Sequence, residues 1–274
     1  MGLSTEPPHL VYEVTNGVAT IRLNRPQRHN ALSPEMVVRL AEAWTSVRED
    51  SAVRVALLEG AGDRSFCAGA DLARLIPLFT RARKPDDEWD ERLLADRSMM
   101  NTALLRGFEL YKPVVVAIHG HALAGGTEIL LGTDFRIASN AATFGLTEVR
   151  RGIIPAGGSL ARLARQIPYT AAMRIILGGE PVSAEDAYRY GLVTELVEPD
   201  QVRARAREVA QQVARGGPIA LAKAKEAVVR SSGLPLDEAY RIENECARVV
   251  MATEDAREGP RAFMEKREPR FIGR

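Results

Sequence analysis

Residues 112–139 read KPVVVAIHGHALAGGTEILLGTDFRIAS. The aliphatic run from Val114 is of the kind that forms a strand buried on both faces, and FRIAS at 135–139 is a second such run. Between them lie a turn of small residues around Gly120 to Gly126 and an apolar stretch, Ile129 to Leu131. Strand, turn, helix start and strand in one stretch predict an α/β architecture.

The same rhythm extends upstream. VRVALLEG from Val53 is another buried strand, and LVYEV and VATIRL alternate around Asn16-Gly17, which predicts a hairpin over 10–24. Ser33 as N-cap and Pro34 at the first helical position open a helix whose Met36, Val37, Leu40, Ala41, Trp44 and Val47 share one face. Downstream the character changes. Residues 200–215, 218–230, 236–253 and 261–267 read as four helices, divided by Gly216-Gly217, Ser231-Ser232-Gly233 and Gly259-Pro260. The expected organisation is an α/β body over 1–199 and a helical C-terminal region over 200–274. Segment 73–111 breaks the pattern. Its PDDEWDERLLADR is either a solvated helix face or a wall beside a site, and its apolar residues either cover the core or select a substrate.

Composition narrows the function. Thirty-seven Lys and Arg against 36 Asp and Glu give a net charge of +1, which removes the basic field of a general nucleic-acid binder. Cys67 and Cys246 are too few for a disulfide framework and fit a reducing compartment. His119, His121, Thr127 and Glu128 interrupt the longest apolar run, so no membrane span is expected. MGLSTEPPHL lacks the features of a secretory leader, and Glu6 breaks the myristoylation pattern. A soluble cytoplasmic protein is expected.

Two small-residue turns are candidates for chemistry: Phe66-Cys67-Ala68-Gly69-Ala70-Asp71-Leu72, and His119 to Glu128. Such turns either pack tightly or present backbone N–H groups, and two donors from separate turns can converge on one oxygen. Glu128, three residues beyond Gly125, falls on the same side of a helix starting there. A carboxylate in an apolar run is either structurally paired or catalytic, and Glu148 closes a second such stretch. Two carboxyls in one pocket have their pKa values pushed apart, which suits one as acid and one as base. Rival motifs fail. Gly120 and Gly125 have P-loop spacing without the Lys, Gly157-Gly158-Ser159-Leu160-Ala161 lacks the last Gly of a nucleophile elbow, and His119 and His121 have no third metal ligand.

LNRPQRHNAL at 23–32, FCAGADL at 66–72, HGHALAGGTEILLGTDFRIAS, FGLTEVRRGIIPAGG at 144–158 and AFMEKREPRF at 262–271 together resemble the enoyl-CoA hydratase/isomerase, or crotonase, superfamily. The resemblance implies a ββα spiral core and a helical C-terminal region that forms homotrimers or homohexamers. It implies Ala70 and Gly125 as the thioester-oxygen donors and Glu128 and Glu148 as the catalytic glutamates. It places Arg28, His29, Ala68, Leu72, Phe263 and Lys266 against coenzyme A, which is carried as part of an acyl-CoA substrate, with no metal and no separate cofactor. Gln27 and Ala73 stand where some hydratases have CoA-binding lysines, which shifts phosphate contact to Arg28 or Arg74. Ala124 and Ala156 stand where glycines are common, and Arg150 and Arg151 where aliphatics are frequent; these arginines are read as interface residues or as sensors of a polar acyl group. The implied activity is hydration of a 2-enoyl-CoA. Isomerisation, another crotonase reaction or non-catalytic acyl-CoA binding are the alternatives.

Overall fold

The computed structural model describes residues 7–274, so the N-terminal expectations on Gly2 to Glu6 lie outside the described residues. Asn16 and Gly17 take φ of 52° and 77°, the left-handed pair a two-residue turn requires, and join β1 (Leu10–Thr15) to β2 (Val18–Leu23). The Ser33 hydroxyl accepts the Met36 N–H at 3.2 Å and caps α1 (Pro34–Glu49), which buries Met36, Val37, Leu40, Trp44 and Val47.

From here the chain repeats one manoeuvre. A long buried strand joins one sheet, and a very short strand then joins a second. The first turn of this spiral is β3 (Val55–Gly60) and β4 (Ser65–Cys67), followed by α2 (Leu75–Phe79), α3 (Glu88–Ala95) and α4 (Ser98–Ala103). The second is β5 (Val114–Ile118), β6 (His121–Leu123) and α5 (Gly125–Leu130). The third is β7 (Phe135–Ser139) and β8 (Thr143–Gly145), then α6 (Ser159–Gln166) and α7 (Tyr169–Gly178). β9 (Val182–Ser183), α8 (Ala184–Arg189) and β10 (Glu195–Val197) complete the body. The larger sheet runs β1-β2-β3-β5-β7-β10, parallel except for the β1–β2 hairpin; the smaller runs β4-β6-β8-β9. The α/β expectation and the spiral core both hold. The two- and three-residue strands were invisible in sequence, because runs that short carry no periodicity.

β3 shows how the core is divided. Ala56 and Leu58 face the main core with α1, while Val55 and Leu57 face a second cluster built with Val202, Ala206, Val209 and Ala210 of α9 (Val202–Ala214). α9 therefore lies against the larger sheet. Beyond it, α10 (Pro218–Ser231) and α11 (Leu236–Met251) form a hairpin, and α10 buries no residue within the single chain. The last helix differs from its expected span. It is α12 (Asp255–Met264), with Gly259-Pro260 inside it rather than before it. Tertiary bonds outweigh the proline: Asp255 accepts the Ile272 and Gly273 N–H groups, and Glu258 accepts Arg267 and the Arg270 N–H.

The segment 73–111 is packed structure. Asp87 caps α3, Leu93 and Asp90 are fully buried, and Arg83 grips Asp90 through two bonds of 2.5 and 2.6 Å. Leu75 and Leu78 belong to the core, while Ile76 and Phe79 are half-buried. No helix among the described residues is long and apolar enough to cross a membrane.

Candidate active site

β4, β6 and β8 are parallel neighbours, so their C-terminal ends lie together. Ala70, Gly125 and Glu148 follow these three ends by two or three residues each. The Ala70 turn is set by Leu32, whose N–H donates to Gly69 O at 2.8 Å and whose carbonyl accepts the Asp71 N–H at 3.0 Å. This parallel bridge turns the Ala70 N–H to the opposite side. Asp71 anchors the turn: Oδ2 accepts Arg25 Nη1 at 3.0 Å, and Oδ1 accepts the Ala73 and Arg74 N–H groups.

Gly69 has φ of 90°, and a Cβ there would lie 2.6 Å from Ala124 Cβ and 3.1 Å from Gly125 N. Only glycine lets the two turns touch. Ala124 itself holds φ 50° and ψ −123°, a conformation costly for alanine. Its N–H is tied to Gly145 O at 2.7 Å, which fixes the start of α5. Among the described residues neither the Ala70 nor the Gly125 N–H has an acceptor in the protein. These are two adjacent backbone donors awaiting an oxygen.

Glu128 projects from the first turn of α5 and is buried. Its Oε1 accepts the Gly157 N–H at 2.7 Å, the Ser159 hydroxyl at 2.7 Å and the Ser159 N–H at 3.3 Å, while among the described residues Oε2 accepts nothing. A Cβ at Gly157 would stand 2.4 Å from that Oε2. Thr127 below it accepts the Gly145 N–H at 3.1 Å and donates to Ala122 O at 2.6 Å, joining β6 to β8. Glu148 opens the 3-10 turn Glu148–Arg151 and is also buried, but among the described residues its Oε2 has no hydrogen-bond partner. Burial above all, helped by the Glu128 charge, pushes its pKa up from 4.5 to about 7, against its own backbone N–H and Arg151. The Glu128 charge is thus felt at Glu148. Gly157 and Ser159, which hold Glu128, entered the sequence reading only within a rejected nucleophile elbow; the sign of their role was there in AGGSL, small residues at a helix start with unpaired N–H groups.

Sequence comparison settles the family. A family model described as enoyl-CoA hydratase/isomerase matches residues 13–274. The chain belongs to this family. It is 40% identical over 261 residues to an (E)-benzylidenesuccinyl-CoA hydratase of Thauera aromatica, covering 95% of this chain and 98% of the relative. It is 38% identical to an enoyl-CoA hydratase of Mycobacterium tuberculosis, covering 97% of each. Among solved structures, an enoyl-CoA hydratase from Bacillus anthracis matches with a TM-score of 0.87 at 37% identity, over 97% of this chain and 100% of that one.

Several residues expected to meet coenzyme A gather beside the donors of this family member. The His29 carbonyl accepts the Ala68 N–H at 3.0 Å, and His29 Nδ1 meets Ser65 Oγ at 3.0 Å. Arg28, one residue earlier, is exposed, as is Leu72 just past the Ala70 turn. Arg74 is engaged: its Nη2 pairs with Asp86 at 2.7 Å and Asp87 at 2.6 Å, which leaves Arg28 as the cation of the two without a carboxylate among the described residues. The same arginine, with Arg83, fills the cluster Asp86, Asp87 and Asp90, which would otherwise resemble a cation site. Phe263 and Lys266 are not brought into this group. They lie at the end of α12, with Phe263 85% exposed. Ala156 is exposed, and the group packed on Glu128 is its neighbour Gly157.

Proposed function

We propose that the protein is a 2-enoyl-CoA hydratase. The observation that carries this reading is the pair of glutamates in opposite surroundings beside two backbone donors without acceptors. The thioester oxygen sits between the Ala70 and Gly125 N–H groups, which stabilise the enolate-like charge of the transition state. Glu128, with Oε1 held by three donors, uses Oε2 to orient a water and take its proton as the oxygen bonds to C3. Glu148, whose pKa burial raises to about 7, gives its proton to C2. Water is thereby added across the double bond, the product is a 3-hydroxyacyl thioester, and one proton exchanged from Glu128 back to Glu148 resets the site. Both steps are acid-base chemistry of the kind worth about 10² to 10⁴ in rate for each group.

Coenzyme A enters as part of the substrate, along Arg28, His29, Ala68 and Leu72. Phe263 and Lys266 reach it from a neighbouring copy in a homotrimer or a pair of trimers. Exposed apolar residues on the C-terminal helices, among them Val228, Leu236, Tyr240, Met251 and Phe263, support such an assembly. The relatives named crotonyl-CoA hydratase and carnitinyl-CoA dehydratase, 32% and 34% identical, support addition or removal of water as the reaction class.

The test is incubation with crotonyl-CoA. Formation of 3-hydroxybutyryl-CoA is expected. Turnover of 3-enoyl-CoA to 2-enoyl-CoA without hydration would assign the site to an isomerase, and tight binding with no product would assign it to a carrier. A monomer in solution at micromolar concentration would remove the shared-site part of the reading.

A further inference from the structure

Two arginines are bonded to the turns that carry or hold the two glutamates. Arg106, from the loop after α4, donates through Nη1 to Ala156 O at 2.8 Å and to Asn101 Oδ1 at 3.4 Å. Ala156 adjoins Gly157, whose N–H holds Glu128. Arg151 donates through Nη1 to Thr147 O at 2.9 Å, one peptide from Glu148, in the same 3-10 turn. Both side chains belong to exposed residues, and among the described residues neither forms an ion pair. The adjoining Arg150 shows the contrast, since it is paired with Glu180 at 2.7 Å.

A guanidinium has five N–H donors, so each arginine keeps most of its hydrogen-bonding capacity after these contacts. Carbonyl oxygens satisfy geometry but not charge. The natural complement of an unpaired guanidinium is a carboxylate or phosphate, bound by charge-assisted and often bidentate bonds. A pocket holding only two carboxyls would repel an anion; the arginines add positive charge beside them.

We infer that the site takes acyl-CoA thioesters whose acyl group carries a second, terminal carboxylate, held by Arg106 and Arg151 beyond the reacting carbons. The inference rests on the acyl-CoA reading of the site and names the class of acyl group within it. The placement follows from the geometry. The expected coenzyme A residues His29 and Ala68 lie on the β4 side of the Ala70 and Gly125 donors, whereas both arginines lie against the turns that carry or hold the glutamates. Arg151 already opposes the rise in the Glu148 pKa, so its charge is felt at the reacting end of the site.

The test measures equilibrium binding of saturated thioesters, which needs no turnover. Glutaryl-CoA is compared with butyryl-CoA and adipyl-CoA with pentanoyl-CoA, each pair differing by one terminal carboxylate. The wild-type protein is expected to bind the carboxylated member at least about tenfold more tightly in one pair or both, with the preference shrinking as salt rises. Arg106→Gln and Arg151→Gln should each erode that ratio and the double variant should abolish it, while the Lys variants keep part of it. No preference at either length in the wild-type protein overturns the inference without recourse to any variant. Equal weakening of free coenzyme A and of every thioester in the variants also overturns it, by assigning the arginines to the phosphates of coenzyme A. The two readings fail separately. Hydration of crotonyl-CoA without a carboxylate preference sinks only this inference, and a carboxylate preference without hydration of either crotonyl-CoA or its 4-carboxy derivative sinks only the hydratase reading.

Discussion

The start of α5 and the 3-10 turn after β8 each deliver one glutamate to the same site, and they treat it in opposite ways. Around Glu128 the backbone and Ser159 supply three donors to a single oxygen, so that side chain is held in one position with its other oxygen free. Around Glu148 burial is offset by few donors, one oxygen is unsatisfied, and the carboxyl moves to about 7. Chemically identical groups acquire different roles from the donors within reach and from the cost of ionising each in place. A site of this type needs no exotic residue, only unequal environments for two ordinary ones.

The largest test of that asymmetry removes proton transfer while keeping shape. Glu128→Gln and Glu148→Gln should each lower hydration by about a hundredfold or more with coenzyme A binding nearly intact, since an amide carbonyl can still accept the Gly157 and Ser159 bonds. Near-full turnover by either variant would falsify the two-glutamate mechanism. Next comes Gly157→Ala, whose new methyl would press on Glu128 Oε2 and on Leu104 Cδ1, both at 2.4 Å. A fall in kcat of about ten- to a hundredfold is expected, because misplaced catalytic groups lose much of their effect. Ala156→Gly, one residue earlier and exposed, should change kcat far less; a larger effect there would shift attention from Gly157 to its neighbour.

Ser159→Ala takes away one of the three donors and leaves both backbone bonds, so kcat should drop by about three- to tenfold. If it matches Glu128→Gln instead, the hydroxyl has a role of its own in the chemistry. The mildest effect is on pH dependence. Because the folded pKa of Glu148 is about 7 against an ordinary 4.5, its neutral buried form favours the folded state fully below 4.5, and that contribution is lost as pH rises through about 7. Glu148→Gln should therefore gain stability relative to wild type between about pH 5 and pH 8 in urea unfolding, and wild-type activity should decline as pH passes about 7. A constant stability difference across that range would mean that Glu148 is not buried as a neutral acid.

Much of the architecture was legible in local patterns. Asn16-Gly17 announced a turn because few residues accept positive φ twice in succession, Ser33-Pro34 announced a helix start, and VRVALLEG and KPVVVAI announced strands buried on both faces. The motifs around Ala70, Gly125, Glu128 and Glu148 were likewise sufficient to suggest the family to which the chain belongs. Each of these signals lies within a few neighbouring residues.

What no local pattern carried is how distant groups meet. The short strands β4, β6 and β8 exist only as partners of one another, and their pairing is what brings Ala70, Gly125 and Glu148 to one end of a sheet. The donors on Glu128 come from residues 157 and 159, and the helix through Pro260 persists because the chain terminus folds back onto Asp255 and Glu258. Periodicity and turn chemistry are properties of neighbouring residues and can be read from the chain alone. Hydrogen-bond satisfaction and the desolvation of a carboxyl depend on groups brought together by folding, and so the division of labour between the two glutamates became visible only in three dimensions.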